Sequence, residues 1–233
     1  MTQSFAGVTL KVLSSNGVHA ALIELGPQFE RDSGCKLDVS FDTANVVAER
    51  IERGERGDVA IVTAPVMAAL AQGGITLAAR VLARSGSGIA VRAGAPKPDI
   101  ASVDAFKAAL LACKSIVYTG RGASGIYFAG LIDRLGIGAE IRAKATIPDG
   151  GLVGEYVAAG KVEMAVQQIP ELVVVPGVEI VGPFPEAVQV YTVLAAAPFS
   201  DAPHAAAAQA LVDFLASPAA LRHFCAKGLE AVK

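Results

Sequence analysis

Ser14, Ser15, Asn16 and Gly17 stand in a row between an apolar run, 10–13, and a helix-periodic segment that begins near Val18. Further along, Thr119-Gly120-Arg121-Gly122-Ala123-Ser124-Gly125 separates the apolar run 115–118 from a segment that turns helical near Gly125. Both spacings place small hydroxyl and amide side chains at the mouth of a helix. There the first backbone N–H groups lack partners and the helix dipole is positive, so an anion is welcome. Arg121 adds a planar guanidinium able to hold a carboxylate through two parallel hydrogen bonds. The second stretch lacks the lysine of a P-loop and does not fit the dinucleotide fingerprint. Gly17 and the glycines around Arg121 leave backbone N–H groups open to a ligand.

Other residues join these by position. Thr43 and Asn45 follow the run 36–41 at a further strand-to-helix junction, as ligand donors or as helix caps. Asp42 beside them must cap, pair with a cation or point away from an anion. Gln167 and Gln168 end an apolar strand, and alternation aims only one of them at a ligand. His19 falls in the first turn after Gly17, where a helix start keeps imidazole neutral and makes it an acid–base candidate. No Ser-His-Asp order and no pair of carboxylates stands out. Cys35, Cys113 and Cys225 form no CxxC pair and sit near no histidine at metal-ligand spacing, so free thiols and no metal or cofactor are expected.

The elements that must position these residues alternate. Strands are expected at 10–13, 36–41, 58–63, 88–92, 115–118, 141–146, 163–167, 178–180 and 188–195. Helices are expected at 18–31, 45–53, 65–73, 103–112, 125–135, 151–159, 204–216 and 217–226, with Ser217 as an N-cap and Pro218 in the first helical position. Strand-then-helix order implies parallel pairing and an α/β fold. The 233 residues divide into two α/β lobes, 1–84 with 194–233 and 85–193. A net charge of −2 with scattered Lys and Arg offers no basic stripe for nucleic acid. No apolar run is long enough for a membrane span. The first five residues lack the basic-then-apolar order of a signal peptide, which leaves a periplasmic chain with its leader removed or a cytoplasmic one.

The order of these motifs resembles the type II periplasmic solute-binding proteins, in particular the molybdate-binding-protein-like branch. The resemblance runs from Leu10 to about Phe224. It is carried by Leu10-Lys11-Val12-Leu13-Ser14-Ser15-Asn16-Gly17, by Phe41 to Asp58 with Ile51-Glu52-Arg53-Gly54, by Ser124-Gly125-Ile126-Tyr127 and by Met164 to Leu172. It implies two lobes of mixed sheets flanked by helices, joined by two crossing strands, with the ligand in the cleft between them. It also implies a monomer that closes on its ligand and serves an ABC permease. Ser14, Ser15, Asn16, Thr43, Asn45, Arg121, Ser124 and Gln167 would be the ligand-binding set.

Molybdate-binding members typically place a Ser where Gly17 stands here, and often a Tyr near Gln167. With Asn16, Arg121 and Gln167 instead, a small organic di- or tricarboxylate is expected ahead of an oxyanion such as molybdate. The Ser-Ser-Asn-Gly and Gln-Gln-Ile patterns also resemble a subgroup that includes aconitate isomerase. That subgroup implies a double-bond shift in a tricarboxylate, with His19 as the base.

Overall fold

The computed structural model describes residues 4–232. Met1 to Gln3 and Lys233 lie outside them, as does most of the stretch read for a signal peptide. In chain order the strands are β1 (Thr9–Ser15), β2 (Lys36–Asp42), β3 (Val59–Thr63), β4 (Arg80–Arg92), β5 (Ile116–Tyr118), β6 (Ala145–Thr146), β7 (Met164–Gln168), β8 (Val178–Pro183) and β9 (Tyr191–Pro198). The helices are α1 (His19–Ser33), α2 (Ala44–Glu52), α3 (Ala64–Gln72), α4 (Val103–Ala112), α5 (Ala123–Arg134), α6 (Gly138–Arg142), α7 (Gly154–Ala158), α8 (Ile169–Val173), α9 (Ala205–Leu215) and α10 (Pro218–Ala226). The chain forms two units: residues up to Arg84 together with those from Thr192, and Ser85–Tyr191.

In the first unit β1 lies between β2 and β3, parallel to both, and β9 runs antiparallel to β3. Alternate residues feed opposite faces of this sheet. Leu10, Val12, Val59, Ile61, Leu194 and Ala196 meet Leu22, Leu25, Leu211 and Phe224 on one side. Leu13, Ala60, Val62, Ala195 and Ala197 meet Val47, Ile51, Met67 and Leu70 on the other. Strands covered on both faces read as continuous apolar runs, which is why β3 is Val-Ala-Ile-Val-Thr. Gly34, in the left-handed region at φ 77°, ends α1. Ser217 caps α10, accepting from the Ala220 N–H at 3.1 Å, with Pro218 first in the helix.

The second unit repeats the plan. β4 pairs antiparallel with β7 and with β8, and β5 pairs parallel with β7 and β6. Ile89, Ile116, Met164 and Val166 pack with Phe106, Phe128 and Leu131 on one face. Ala90, Val117 and Ala165 pack with Val153, Val157 and Leu172 on the other.

Several expected elements need correction. Residues 141–146 are not one strand: α6 takes Gly138–Arg142, because Ile137 and Ile141 are both buried at helical spacing, and only Ala145–Thr146 is extended. The strand expected at 88–92 begins eight residues earlier. Its Ser85-Gly86-Ser87-Gly88 reads as a loop, yet a Cβ at Gly88 would come within 2.8 Å of the Gly182 carbonyl, so close strand approach requires the glycine. β9 starts at Tyr191 and runs on through three alanines, where 188–195 was expected; Glu186–Val188 forms a 3-10 turn. The helix expected at 151–159 is confined to α7.

Candidate functional site

Each unit gathers polar residues at the carboxyl ends of its parallel strands. In the first unit Ser15 lies opposite Asp42, and Ser14 opposite both Phe41 and Ile61. The strand ends are therefore level, and the turns after β1, β2 and β3 open on one edge of the sheet. Ser14, Ser15, Asn16, Thr43 and Thr63 are all buried at these turns. A short 3-10 turn, Asn16–Val18, leads into α1, where a helix from Val18 was expected. Thr43 and Thr63 are the N-cap residues of α2 and α3.

The hydroxyls there are used unequally. Ser14 Oγ donates to the Ser15 carbonyl at 3.0 Å. Thr43 Oγ1 accepts from the Val46 N–H at 3.4 Å, a long cap. Asp42 is turned onto the backbone of the turn, accepting from the Thr43 N–H at 2.7 Å. Thr63 makes no side-chain cap bond. Ser15 Oγ is buried and finds no partner among the described residues. His19 opens α1 and stacks on Phe41, ring centroids 4.0 Å apart. Burial lowers its pKa, so the ring is neutral near pH 7, and its buried Nδ1 has no partner either. Asn45 sits in the first turn of α2.

In the second unit Thr119 follows β5, 1% exposed, with an Oγ1 that has no partner among the described residues. The Gly120 N–H donates to the Pro148 carbonyl at 2.7 Å. Arg121 is half-buried just ahead of the N-cap Gly122, and Ser124 is buried in the first turn of α5. A cation at the positive end of a helix is unfavourable alone and favourable around an anion. Gly125 has a different role from the one its motif suggests. A Cβ there would lie 1.8 Å from the Thr119 carbonyl oxygen, so the glycine lets α5 meet the strand end.

Gln167 is placed at the same ends, with both ends of its amide engaged inside the unit. Its Oε1 accepts from the Val153 N–H at 3.0 Å and its Nε2 donates to the Gly151 carbonyl at 2.9 Å. It fastens the 151–153 loop. Gln168, the next residue, accepts from the Ser85 hydroxyl at 2.5 Å. Tyr127 donates to the Val188 carbonyl and is structural.

Three groups at these turns were missed from sequence. Thr63 is masked by its apolar strand, and Thr119 by the glycines after it. Glu171, in the first turn of α8, reads as an exposed acid favoured by the helix dipole. It is 6% exposed, and burial pushes its pKa up to about 8, against the opposing hydrogen bonds from the Gln168 backbone and the Gln167 side chain. Among the described residues no cluster of three or more His, Cys, Asp or Glu could hold a metal ion. Cys35 and Cys113 are buried free thiols and Cys225 is an exposed one. No described helix is long and apolar enough to cross a membrane.

Comparison with known proteins adds to this geometry. A family model described as bacterial extracellular solute-binding protein matches residues 10–230. An aconitate isomerase from Pseudomonas sp is 37% identical over 232 residues, covering 96% of this chain and 88% of that protein. The periplasmic molybdate-binding protein of Azotobacter vinelandii superposes with a TM-score of 0.82 at 17% identity, over 96% of this chain and 100% of the other. The sulfate-binding protein SubI of Mycobacterium tuberculosis H37Rv does so with a TM-score of 0.76 at 16% identity, over 97% and 88%.

Proposed function

As the chain belongs to the bacterial extracellular solute-binding proteins, we propose that it captures a small organic anion, a di- or tricarboxylate, through the strand-to-helix turns of both units. The observation that carries this is the pair of buried, unpartnered hydroxyls, Ser15 and Thr119, each at such a turn. A buried hydroxyl without a partner is costly, and a ligand oxygen removes the cost. Ser14, Asn16, Thr43 and Asn45 would complete the first unit's contribution. Arg121 and Ser124 would complete the second's, with Gln167 holding the loop beside them. Arg121 supports an anion held by charge as well as by neutral donors, and its fork can take a carboxylate through two parallel hydrogen bonds. An ABC permease is the partner this reading implies, and the periplasm the compartment.

Isothermal titration with trans-aconitate, citrate, molybdate and sulfate tests it. Heat with the carboxylates is expected, and tight molybdate binding without carboxylate heat refutes it.

A second reading is favoured by His19 and by the isomerase relative. The neutral imidazole would take a proton from the methylene carbon beside a carboxylate of bound aconitate. The freed electron pair would spread over the adjoining double bond, and the proton would return at the far carbon. The double bond shifts with no net oxidation. Incubation with trans-aconitate, followed by NMR, decides: cis isomer that disappears in His19→Ala supports the enzyme, and binding heat without cis isomer removes it.

A further inference from the structure

At the other end of the second unit's sheet lies a cavity of about 710 Å³. β4 ends there at Arg92, while Lys114 and Lys161 precede the starts of β5 and β7. Val91 and Ile116 are both in register with Met164, the first residue of β7. Gln167 and the Thr119 turn are at the opposite ends of these strands, roughly 10–13 Å away at ~3.3 Å per residue. The cavity is therefore separate from the turns proposed to take the carboxylate.

Its walls carry four cations from four segments, Arg92, Lys97, Lys114 and Lys161. Glu163 is the single acid among the lining residues, and its Oε2 already accepts from the Lys114 backbone N–H at 2.7 Å. Lys97 is held by Glu179 at 3.2 Å, and Lys161 lies over the Tyr156 ring at 5.7 Å. Arg92 rests against Gly160, where a Cβ would stand 3.4 Å from its Nη1. The accessible part of the floor is apolar, formed by Ala95, Pro96, Pro98 and Ala112, while Val91, Val157 and Met164 line the cavity as buried residues. A cationic rim above an apolar floor, in a volume typical of ligand pockets, suits an anion with a flat apolar body.

We propose that this cavity is a second anion site, for a mononucleotide-sized organic phosphate. Its phosphate group meets Arg92, Lys114 and Lys161, and its flat body lies against Pro96, Pro98 and Ala112, close enough to Met164 for its methyl to report binding.

The probe is adenosine 5′-monophosphate, read on the methyl-labelled full chain. The sequence holds three methionines, so the Met164 methyl is readily assigned. The expected result is a saturable shift of the Met164 signal, with affinity falling about tenfold or more in the R92E/K161E variant. Both residues are exposed, and an unchanged melting curve confirms that the variant folds. A still Met164 signal, or equal affinity in the variant, overturns the site. Inorganic triphosphate binding as tightly as the nucleotide without moving Met164 reduces it to charge attraction and also overturns it. Trans-aconitate heats, measured in parallel on the same variant, are expected to be unchanged, so failure here is distinguishable from failure of the carboxylate reading.

Discussion

The hydroxyl of Ser15 makes no bond among the described residues, and that separates its contribution to folding from the one proposed for binding. Ser15→Ala removes an unsatisfied buried group, so urea unfolding of the free protein is expected to show stability unchanged or raised. Carboxylate affinity should fall by about 1.5–3 kcal/mol, the worth of a hydrogen bond to a charged group. Arg121→Ala should cost on the order of 2–5 kcal/mol of binding, because it leaves a carboxylate without its counter-charge; an unchanged dissociation constant would remove it from the site. Glu171 gives a pH signature. Its carboxyl titrates near 4.5 when unfolded and at about 8 when folded, so between those values the folded state holds the extra proton. Its contribution to stability falls as pH rises across that window and levels off above it. Glu171→Gln, which keeps the neutral shape, should change little at pH 5 and stabilise by at least about 2 kcal/mol at pH 8.5. These outcomes were unequally legible in sequence. A run such as Ser-Ser-Asn-Gly announces a helix mouth, but whether a hydroxyl is spent on the backbone, as in Ser14, or left over, as in Ser15, depends on a few tenths of an ångström that residue types do not encode.

At the level of elements, the glycine-rich stretch that leads into α5 and ends at Gly125, in its first turn, is a packing device as well as part of the proposed anion site. The 1.8 Å approach of a Gly125 Cβ to the Thr119 carbonyl involves backbone, which cannot swing aside. Gly125→Ala should therefore destabilise by roughly 3 kcal/mol or more in a denaturant titration. Alternation of strand and helix was readable throughout because buried parallel strands are apolar runs and their helices carry caps, Thr43 and Ser217 among them. Reading failed where small residues hide a strand, as in Ser85-Gly86-Ser87-Gly88, and where two isoleucines four apart, Ile137 and Ile141, turn an apparent strand into a short helix. Gln167 shows a third limit. A strand-end amide looks the same in sequence whether it faces a ligand or, as here, ties down a neighbouring loop.

For the whole molecule, the proposal that one anion draws on both units makes a thermodynamic prediction. Ser15→Ala and Arg121→Ala lie in different units, so their effects on stability should add. Their effects on affinity for the same carboxylate should not, with a coupling of at least about 0.5 kcal/mol in a double-mutant cycle read by calorimetry. Ligand at a hundred times its dissociation constant should stabilise the chain by about 2.7 kcal/mol. The division of the chain has a further consequence, for its birth. Ser85–Tyr191 is one uninterrupted stretch, whereas the other unit needs both ends. Until the residues from Thr192 onward have been made, β3 has no β9 beside it, and α1 lacks the cover of α9 and α10. The half synthesised first is thus the half finished last, and its bare sheet edge and apolar face are what a nascent-chain chaperone would have to shield.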